Sequence, residues 1–519
     1  MNQPPPLTRL AVALAAATLL LHLLTIQGYG WFRDEFYYLA CAARLDWGYV
    51  DHPPLVAVIT ALTRLIAGDS IVALRLPPAL AHAATVVCAA LLAREMGARR
   101  YGQALAALTV GLAPILLAIA SIVSMNAYDT LVWAAVLLLF ARLLRTSEPG
   151  HRGAESPQAP YWIALGVLFG LGFENKHSVL FLAFGVVAGL IAAGPRRQLA
   201  TRWPWTGAAI AAALAAPNIA WEIAHDWPTL EFMRNATMTK NVALPPARFL
   251  LEQVNQMSPF AAPIWIAGLG WLLFGRASAP FRPVAIAYLA ILGVFLTTAA
   301  KPYYLAAFYP ALFAAGGCAL ERWTDRRASG LTALRIGVVA VIVIGAAIAM
   351  PIVLPVLSEE RFIEYQAALG VKPELGERHR QGRLPQFYAD MHGWTELVSE
   401  VSKATDLLTP AERQNAFIFA QNYGQAGAIE WLGRGRELPP VRSGHNNYWL
   451  WGPGEGDPRT AIIVGGDRDD NEAVCTTLVE VGRVQNRYAM PYENDNPVSL
   501  CRGLKTSLRG LWPGLKHFE

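Results

Sequence analysis

Apolar stretches recur eleven times before residue 358, and no other feature of the sequence constrains the fold as strongly. A helix that crosses a bilayer needs about 20 apolar residues, so the shorter stretches are predicted to be tilted or broken. With 54% hydrophobic and 16% charged residues, the chain has the composition of a mainly α-helical polytopic membrane protein. The predicted spans are residues 7–27, 71–93, 102–120, 127–144, 160–174, 178–194, 205–221, 259–275, 283–300, 303–320 and 334–357.

The turns between these spans alternate in charge. The first span follows a weakly charged start and has no small-residue cleavage site, so we predict that it is retained, with its N terminus in the cytoplasm. Every second turn then lies in the cytoplasm and carries more arginine than acid, as the positive-inside rule expects. The net charge of +5 therefore reflects topology, and no nucleic-acid partner is predicted. These turns are residues 94–100, 142–160 (with Arg142, Arg145 and Arg152), 195–203, 275–282 and 321–335.

The other turns face outward and carry charges of both signs. Such residues at the ends of spans, on one face of the membrane, predict a shared polar cavity that opens to that side. Snorkelling toward the interface is the alternative; it explains Lys301 but not Asp34, Asp129 or Glu174 on the same face. The outward polar residues are Arg33, Asp34, Glu35, Asp51, His52, Ser124, Asn126, Asp129, Glu174, Asn175, Lys176, His177, Lys301, Tyr303 and Tyr304.

One outward segment, residues 222–258, is long, amphipathic and broken by prolines. Long loops in compact proteins are more often functional than idle. We predict a lid or re-entrant loop over the cavity, with a surface connector as the alternative.

The composition becomes hydrophilic after residue 357, and no later stretch could span a membrane. Residues 1–357 are therefore predicted to form the membrane domain, and residues 358–519 a soluble domain on the outer side. Short buried strands at 416–420 and 460–465, with helices at 427–432 and 470–479, predict a small α/β layer. The turn 422–427 lacks the spacing of a dinucleotide fingerprint. Cys475 and Cys501 share this domain and could pair in an oxidising compartment, although no spacing motif requires it.

Four segments carry a family resemblance by their order. They are RDEFYYLACAARLDWGYVDHPPL, SMNAYDTLVWA, NKHSVLFL and KPYYLAAFYPALFAAGG. Together they resemble the bacterial branch of the protein O-mannosyltransferase and lipid A aminoarabinose transferase superfamily, integral-membrane glycosyltransferases of the GT-C fold. The resemblance covers about the first 350 residues.

The resemblance implies an inverting glycosyltransferase of the bacterial inner membrane. It would move a sugar from a polyprenyl phosphate donor to a lipid, glycan or protein acceptor on the periplasmic side. Asp34 stands at the family's catalytic aspartate, where a carboxylate can serve as base to the attacking hydroxyl and steady an oxocarbenium-like transition state. Asp129 matches a second family aspartate, which we assign to positioning the acceptor or the sugar. A lipid-linked sugar transporter and a cell-envelope scaffold are the alternatives.

The departing lipid phosphate needs cationic donors. Lys301 is our first candidate. At the family's Glu-Lys pair this sequence has Asp51 and His52, which are also candidate ligands for a divalent cation. Tyr37 stands where the family has an arginine. Tyr37 and Glu35 are both candidate substrate-binding residues, and for Glu35 a helix cap or an ion pair with Arg33 is the alternative. The other candidate substrate-binding residues are Arg33, His52, Lys176, His177 and Tyr303.

Overall fold

A computed structural model describes residues 5–147, 158–240, 242–298, 300–325, 331–370, 380 and 382–519. The chain divides into two compact units, each made of three separate segments. We call the first the helical unit: Met1–Ile26, Val72–Trp221 and Ala243–Val356. We call the second the α/β unit: Gln27–Ile71, Glu222–Val242 and Leu357–Glu519. Arg152 and residues 326–330, which belong to two predicted arginine-rich turns, lie outside the described residues.

Helices dominate the chain before residue 357. In order they are α1 (Arg9–Thr25), α2 (Arg33–Ala43), α3 (Leu55–Ala67), α4 (Ile71–Glu95), α5 (Arg100–Gly111), α6 (Pro114–Ala120), α7 (Met125–Thr146), α8 (Gln158–Asn175), α9 (Val179–Ala193), α10 (Arg202–Ala224), α11 (Pro228–Asn235), α12 (Pro246–Gln256), α13 (Ala262–Phe274), α14 (Arg282–Thr297), α15 (Tyr309–Asp325) and α16 (Leu331–Val353).

Each of the eleven apolar stretches contains a helix, which confirms the mainly helical membrane architecture. By length and composition, six helical segments of the described chain can cross a membrane: α4, α7, α10, α16, and α14 and α15 with the short turns before them. A seventh span forms if α5 and α6, which meet at a bend of 57°, count as one. The remaining stretches form shorter helices, so the number of eleven spans stays a prediction.

Small residues allow close helix packing in the helical unit. At the crossing of α5 and α15, a Cβ added to Gly317 would lie 2.4 Å from the carbonyl oxygen of Gly102. Only glycine fits at that distance, as is typical where membrane helices approach through their backbones. The buried Trp133, Tyr288 and Phe308 belong to the large apolar core of this unit.

The α/β unit contains a five-stranded sheet in the order β2-β1-β3-β5-β4. Strand β1 is parallel to β2 and β3, whereas β5 is antiparallel to both β3 and β4. The elements after residue 357 are α17 (Glu359–Ala368), α18 (Gln386–Ala389), α19 (Trp394–Asp406), α20 (Pro410–Gln414), β1 (Ala416–Ala420), α21 (Tyr423–Leu432), β2 (Val441–Arg442), α22 (Asn447–Leu450), β3 (Thr460–Val464), α23 (Arg468–Val474), β4 (Cys475–Val484), β5 (Asn496–Leu504) and α24 (Leu508–Leu511).

The predicted strands at 416–420 and 460–465 are confirmed, and so is the helix predicted at 427–432. The helix predicted over 470–479 was wrong in its second half, because α23 ends at Val474 and β4 follows directly. Thr476, Thr477 and Val479 are β-branched and favour a strand. Their strand pairs with β5, to which the Cys475–Cys501 disulfide also joins it.

Two segments from before residue 357 fold into the α/β unit. Helices α2 and α3 come from Gln27–Ile71, and α11 comes from Glu222–Val242. Helix α2 packs tightly on α21: a Cβ added to Gly427 would lie 2.8 Å from the Cβ of Phe36. The predicted boundary after residue 357 lies one residue from a unit boundary, that between Val356 and Leu357, and the division into two continuous domains stays a prediction. The predicted lid is divided, since its first part lies in the α/β unit and α12 lies in the helical unit.

Candidate active site

Asp34 lies in the first turn of α2, where the helix dipole favours a negative charge. Its Oδ1 accepts a hydrogen bond of 2.8 Å from the Tyr423 hydroxyl and lies 3.4 Å from Arg33 Nε. Asp34 Oδ2 makes no hydrogen bond with any residue that the structure describes. The side chain is 35% exposed, so the carboxylate is fixed through one oxygen and open at the other.

A buried polar network fixes Arg33 beside this carboxylate. Arg33 Nη1 donates to the Tyr492 hydroxyl at 2.7 Å and lies 3.8 Å from Asp390 Oδ2. The Tyr492 hydroxyl in turn donates to Asp390 Oδ1 at 3.0 Å. Burial raises the pKa of both Tyr492 and Tyr423 above the ordinary value, so both phenols stay protonated and act as donors.

Sequence reasoning missed Asp390, Tyr423 and Tyr492. Each is a single polar residue in a soluble stretch, without a spacing motif around it. The one available signal was the strand-to-helix turn 422–427, in which Tyr423 lies.

Glu493 occupies a buried position next to this network. Its two carboxylate oxygens accept hydrogen bonds from Asn422 Nδ2 at 2.8 Å and from Gln425 Nε2 at 2.7 Å. Burial raises the pKa of Glu493 to about 7, against the opposite effect of the two amide donors. This carboxyl group therefore keeps its proton to a higher pH than an exposed glutamate does.

Glu35 and Tyr37, which follow Asp34 in α2, both make structural contacts. Glu35 is buried, and its Oε2 accepts a hydrogen bond of 2.8 Å from the backbone N–H of Phe32. It therefore caps α2, which was the alternative to substrate binding. Tyr37 is also buried; its hydroxyl donates to Asn447 Oδ1 at 3.1 Å, and its ring stacks on Tyr423 at 4.6 Å.

The residues around His52 do not fit a metal ion. His52 is buried; its Nδ1–H donates to the Pro53 carbonyl oxygen at 2.8 Å, and its Nε2 lies 3.8 Å from Cys41 Sγ. Both ring nitrogens thus face protein atoms, and burial lowers the pKa of His52, which favours the neutral ring. Burial likewise raises the pKa of the neighbouring Asp51. Across the described chain, no group of three or more His, Cys, Asp or Glu side chains is placed to hold a metal.

A second polar cluster lies in the helical unit around Asp129 on α7. The Ser178 hydroxyl is within hydrogen-bond distance of both carboxylate oxygens, at 3.0 and 2.9 Å, and Lys176 Nζ lies 3.9 Å from Oδ2. Lys176 Nζ also donates to Asn126 Oδ1 at 2.8 Å and lies 4.5 Å from the centre of the Tyr304 ring. Lys176 is thus a partly exposed, anchored cation of the kind that an anionic ligand can approach.

The remaining predicted residues flank this cluster. Lys176 Nζ lies 5.6 Å from the centre of the Tyr303 ring, which packs on Tyr304. Lys301 precedes the short helical turn 302–308, and its carbonyl oxygen accepts from the backbone N–H of Tyr304 at 3.0 Å. His177 Nε2 donates to Asn218 Oδ1 at 2.9 Å. That these residues and Asp34 share one chamber stays a prediction.

The comparisons with known proteins agree with the sequence resemblance. The family model described as dolichyl-phosphate-mannose-protein mannosyltransferase matches residues 51–221. The structure of ArnT from Cupriavidus metallidurans bound to undecaprenyl phosphate aligns with 94% of this chain and 97% of its own, at a TM-score of 0.58 and 15% identity. The same protein in the apo state aligns equally well, with a TM-score of 0.58 at 16% identity. This chain has the GT-C fold.

The GT-C fold confirms the sequence resemblance. A curated relative with the name lipid A galacturonosyltransferase RgtD, from Rhizobium johnstonii, is 28% identical over 249 residues. That alignment covers 47% of this chain and spans about half of the relative, 50% of its length. The comparisons thus establish the GT-C fold of this chain.

Proposed function

We propose that this chain is an inverting membrane glycosyltransferase that moves a sugar from a polyprenyl phosphate to an acceptor hydroxyl. One observation carries the proposal: Asp34 is a half-open carboxylate whose Oδ1 is held by Arg33 and Tyr423, while its Oδ2 stays open. A general base must present one oxygen to the proton it takes. Because the other oxygen is fixed, the direction in which the open oxygen accepts the proton is fixed as well.

The proposed step is a single displacement. The acceptor oxygen attacks the anomeric carbon and forms the new glycosidic bond, while its proton passes to Asp34 Oδ2. The bond from the anomeric carbon to the phosphate oxygen breaks, and its electron pair leaves on polyprenyl phosphate. Attack from the opposite face inverts the anomeric carbon. The negative Asp34 also stabilises the positive charge that develops on the sugar ring.

The leaving phosphate needs positive charge, and the helical unit supplies two candidates. We assign Lys301 and Lys176 to this role. The carboxylate of Asp129, 3.9 Å away, and the amide of Asn126 orient the Lys176 ammonium. An anchored ammonium needs little reorganisation as negative charge grows on the phosphate. Asp129 thus acts as a positioning residue.

The relatives suggest the substrates. One matched structure was solved with undecaprenyl phosphate, and the curated relative is named for transfer of galacturonic acid to lipid A. We propose an undecaprenyl-phosphate-linked sugar as donor and a lipid A-type glycolipid as acceptor. We place the reaction at the periplasmic face of the bacterial inner membrane. The Cys475–Cys501 disulfide supports this placement of the α/β unit, because disulfides persist in oxidising compartments.

The test uses the purified full chain with undecaprenyl phosphate-galacturonic acid and lipid A. We expect release of undecaprenyl phosphate together with a mass gain of one sugar on lipid A. Asp34→Asn should stop both. Asp46→Asn, in the exposed loop after α2, serves as the matched control and should retain activity. Full turnover by Asp34→Asn would refute the assignment.

A further inference from the structure

The sheet of the α/β unit has a topological switch point that the proposed reaction does not yet use. The chain leaves β1 through α21 to reach β2 on one side, whereas it leaves β3 through α23 to reach β4 at the opposite edge. The carboxyl ends of the parallel strands β1 and β3 therefore border a crevice. In open α/β sheets, ligands bind in such crevices.

The structure contains a cleft of about 370 Å³ at this point. Gln421 and Asn422 line it from the end of β1, and Gly465 and Gly466 line it from the end of β3. Gly466 has a φ of +82°, and a Cβ added there would lie 2.8 Å from the side-chain nitrogen of Gln421. Two glycines thus keep the space between the strand ends open. The volume is that of a small-ligand site.

The walls of the cleft present polar groups with hydrogen-bonding capacity to spare. The side-chain amide of Gln421 forms no hydrogen bond with the described residues. Asn496 donates through Nδ2 to the Tyr492 carbonyl oxygen at 2.9 Å, which leaves its Oδ1 as an acceptor. An amide offers both donors and an acceptor, and a sugar hydroxyl can do the same. The stacked rings of His445 and His517, with centres 4.5 Å apart, add a flat aromatic surface.

The charges around the cleft favour a ligand rich in hydroxyl groups over a phosphate. Arg33 reaches the cleft, but Asp34 and Asp390 already lie within 3.4 and 3.8 Å of its guanidinium. Among the described residues that line the cleft, Arg33 is the single arginine or lysine, and the carboxylates next to it outnumber it. A free phosphate would meet net repulsion, whereas neutral hydroxyls meet amides.

The cleft adjoins the proposed base through two shared residues, Arg33 and Tyr423. Tyr423 lines the cleft, and its hydroxyl donates to Asp34 Oδ1. A sugar bound there would therefore lie next to the two side chains that hold Asp34 Oδ1, and its hydroxyls would be close to the proposed base. We propose that this cleft, which we call the strand-end cleft, binds the carbohydrate part of the acceptor. The inference rests on the proposed function and assigns the acceptor to the glycan class.

The binding test uses the full chain in detergent and the glucosamine disaccharide of lipid A, freed of its acyl chains and phosphates. Saturation-transfer NMR should detect binding to the unaltered protein. Gln421→Ala should weaken the affinity by about 5- to 10-fold, since one uncharged hydrogen bond is lost. Gln421→Trp should abolish binding by filling the cleft. Gln414→Ala, an exposed glutamine on α20, is the matched control and should bind normally.

A second readout needs no variant. Hydrogen exchange at residues 421–425 and 465–466 of the unaltered protein should slow when the disaccharide is added. The proposal is overturned if exchange there is unchanged, if Gln421→Trp binds as the unaltered protein does, or if a serine-rich peptide or inorganic phosphate protects these residues while the disaccharide does not.

Turnover separates this inference from the proposed function. If the disaccharide binds but no sugar is transferred, the proposal of a binding cleft stands and the proposed transferase activity is refuted. If Gln421→Ala transfers sugar with an unchanged acceptor KM, the proposed transferase activity stands and the proposal that the cleft binds the acceptor is refuted. If both proposals hold, Gln421→Ala raises the acceptor KM by about 5- to 10-fold while the donor KM stays the same.

Discussion

The Tyr423 hydroxyl donates a hydrogen bond of 2.8 Å to Asp34 Oδ1 although the two residues are 389 positions apart. The proposed base is therefore oriented by a side chain of the sheet-containing part of the chain. A hydrogen bond to a charged group contributes about 1.5–3 kcal/mol to stability. This hydrogen bond also fixes the orientation of the Asp34 carboxylate.

Tyr423→Phe should therefore lower kcat by about 10- to 100-fold without abolishing it. Without the Tyr423 hydroxyl the Asp34 carboxylate can rotate. Its Oδ2 then points toward the acceptor hydroxyl for a smaller fraction of the time. Release of undecaprenyl phosphate measures the effect. Tyr448→Phe is the control, because it removes a hydrogen bond of 2.8 Å to Glu430 in the same unit. An equal loss in both variants would show a general effect on folding.

Arg33 should matter for stability as well as for turnover. Arg33→Met leaves Asp390, only 1% exposed, without its cation, which should cost about 3–5 kcal/mol. Adding Asp390→Asn removes the buried charge and should recover most of the thermal stability, while turnover stays low because Asp34 has lost a partner. Recovery of turnover in the double variant would contradict the role of Arg33 beside Asp34.

The cluster around Asp129 predicts a separable effect on the donor. Asp129→Asn keeps the size of the side chain but removes the charge 3.9 Å from Lys176. We expect a 10- to 100-fold loss of kcat/KM for the lipid-linked donor, at about 1.4 kcal/mol per factor of ten, with the acceptor KM unchanged. Ser178→Ala, which removes the neighbouring hydroxyl but keeps the charge, should lose less. The reverse order of the two variants would argue against orientation of Lys176 by Asp129.

Glu493 predicts the pH dependence of stability. Its pKa is about 7 when folded and 4.5 ordinarily, so the folded protein holds a proton that the unfolded chain releases between these values. Stability from this group is fully present below pH 4.5 and is lost as the pH rises through about 7. The loss is about 3 kcal/mol at most. Glu493→Gln should flatten the fall of the Tm between pH 5 and 8; an unchanged slope would contradict the assignment.

The disulfide of the sheet predicts sensitivity to reductant. The Cys475–Cys501 bond closes a loop with a sequence separation of 26, which corresponds to about 3–4 kcal/mol by loop-closure entropy. Dithiothreitol should lower the Tm of the unaltered protein. The Cys475→Ser/Cys501→Ser double variant should start at the lower Tm and not respond. A response in that variant would point to another target of the reductant.

Local patterns were enough to predict a helix in each of the eleven apolar stretches and the strands β1 and β3, because apolar runs act within a few residues. The resemblance also pointed to Asp34 and Asp129. The helix predicted over 470–479 failed where pairing with β5 and the disulfide overrode local propensity. Glu35 shows the same limit: one carboxylate can cap a helix or bind a ligand, and only the contact with Phe32 decides between them.

The partners of Asp34 were beyond sequence reasoning for a different reason. Tyr423 reaches Asp34, and Asp390 and Tyr492 reach the neighbouring Arg33, only through tertiary folding, and nothing in their own sequence neighbourhoods marks them. Contacts between residues that are hundreds of positions apart produce no periodic pattern in the sequence. The disulfide was likewise left open until β4 and β5 were seen to pair.

The α/β unit draws its residues from both Gln27–Ile71 and Leu357–Glu519. During synthesis, the ribosome therefore releases α2 long before the strands and tyrosines that complete its surroundings. A nascent chain already threaded into the membrane would carry an unoriented carboxylate. On the proposed function, a chain whose sheet has not yet formed would not hydrolyse the lipid-linked sugar. Its carboxylate becomes an oriented base only after translation is complete and the sheet has folded.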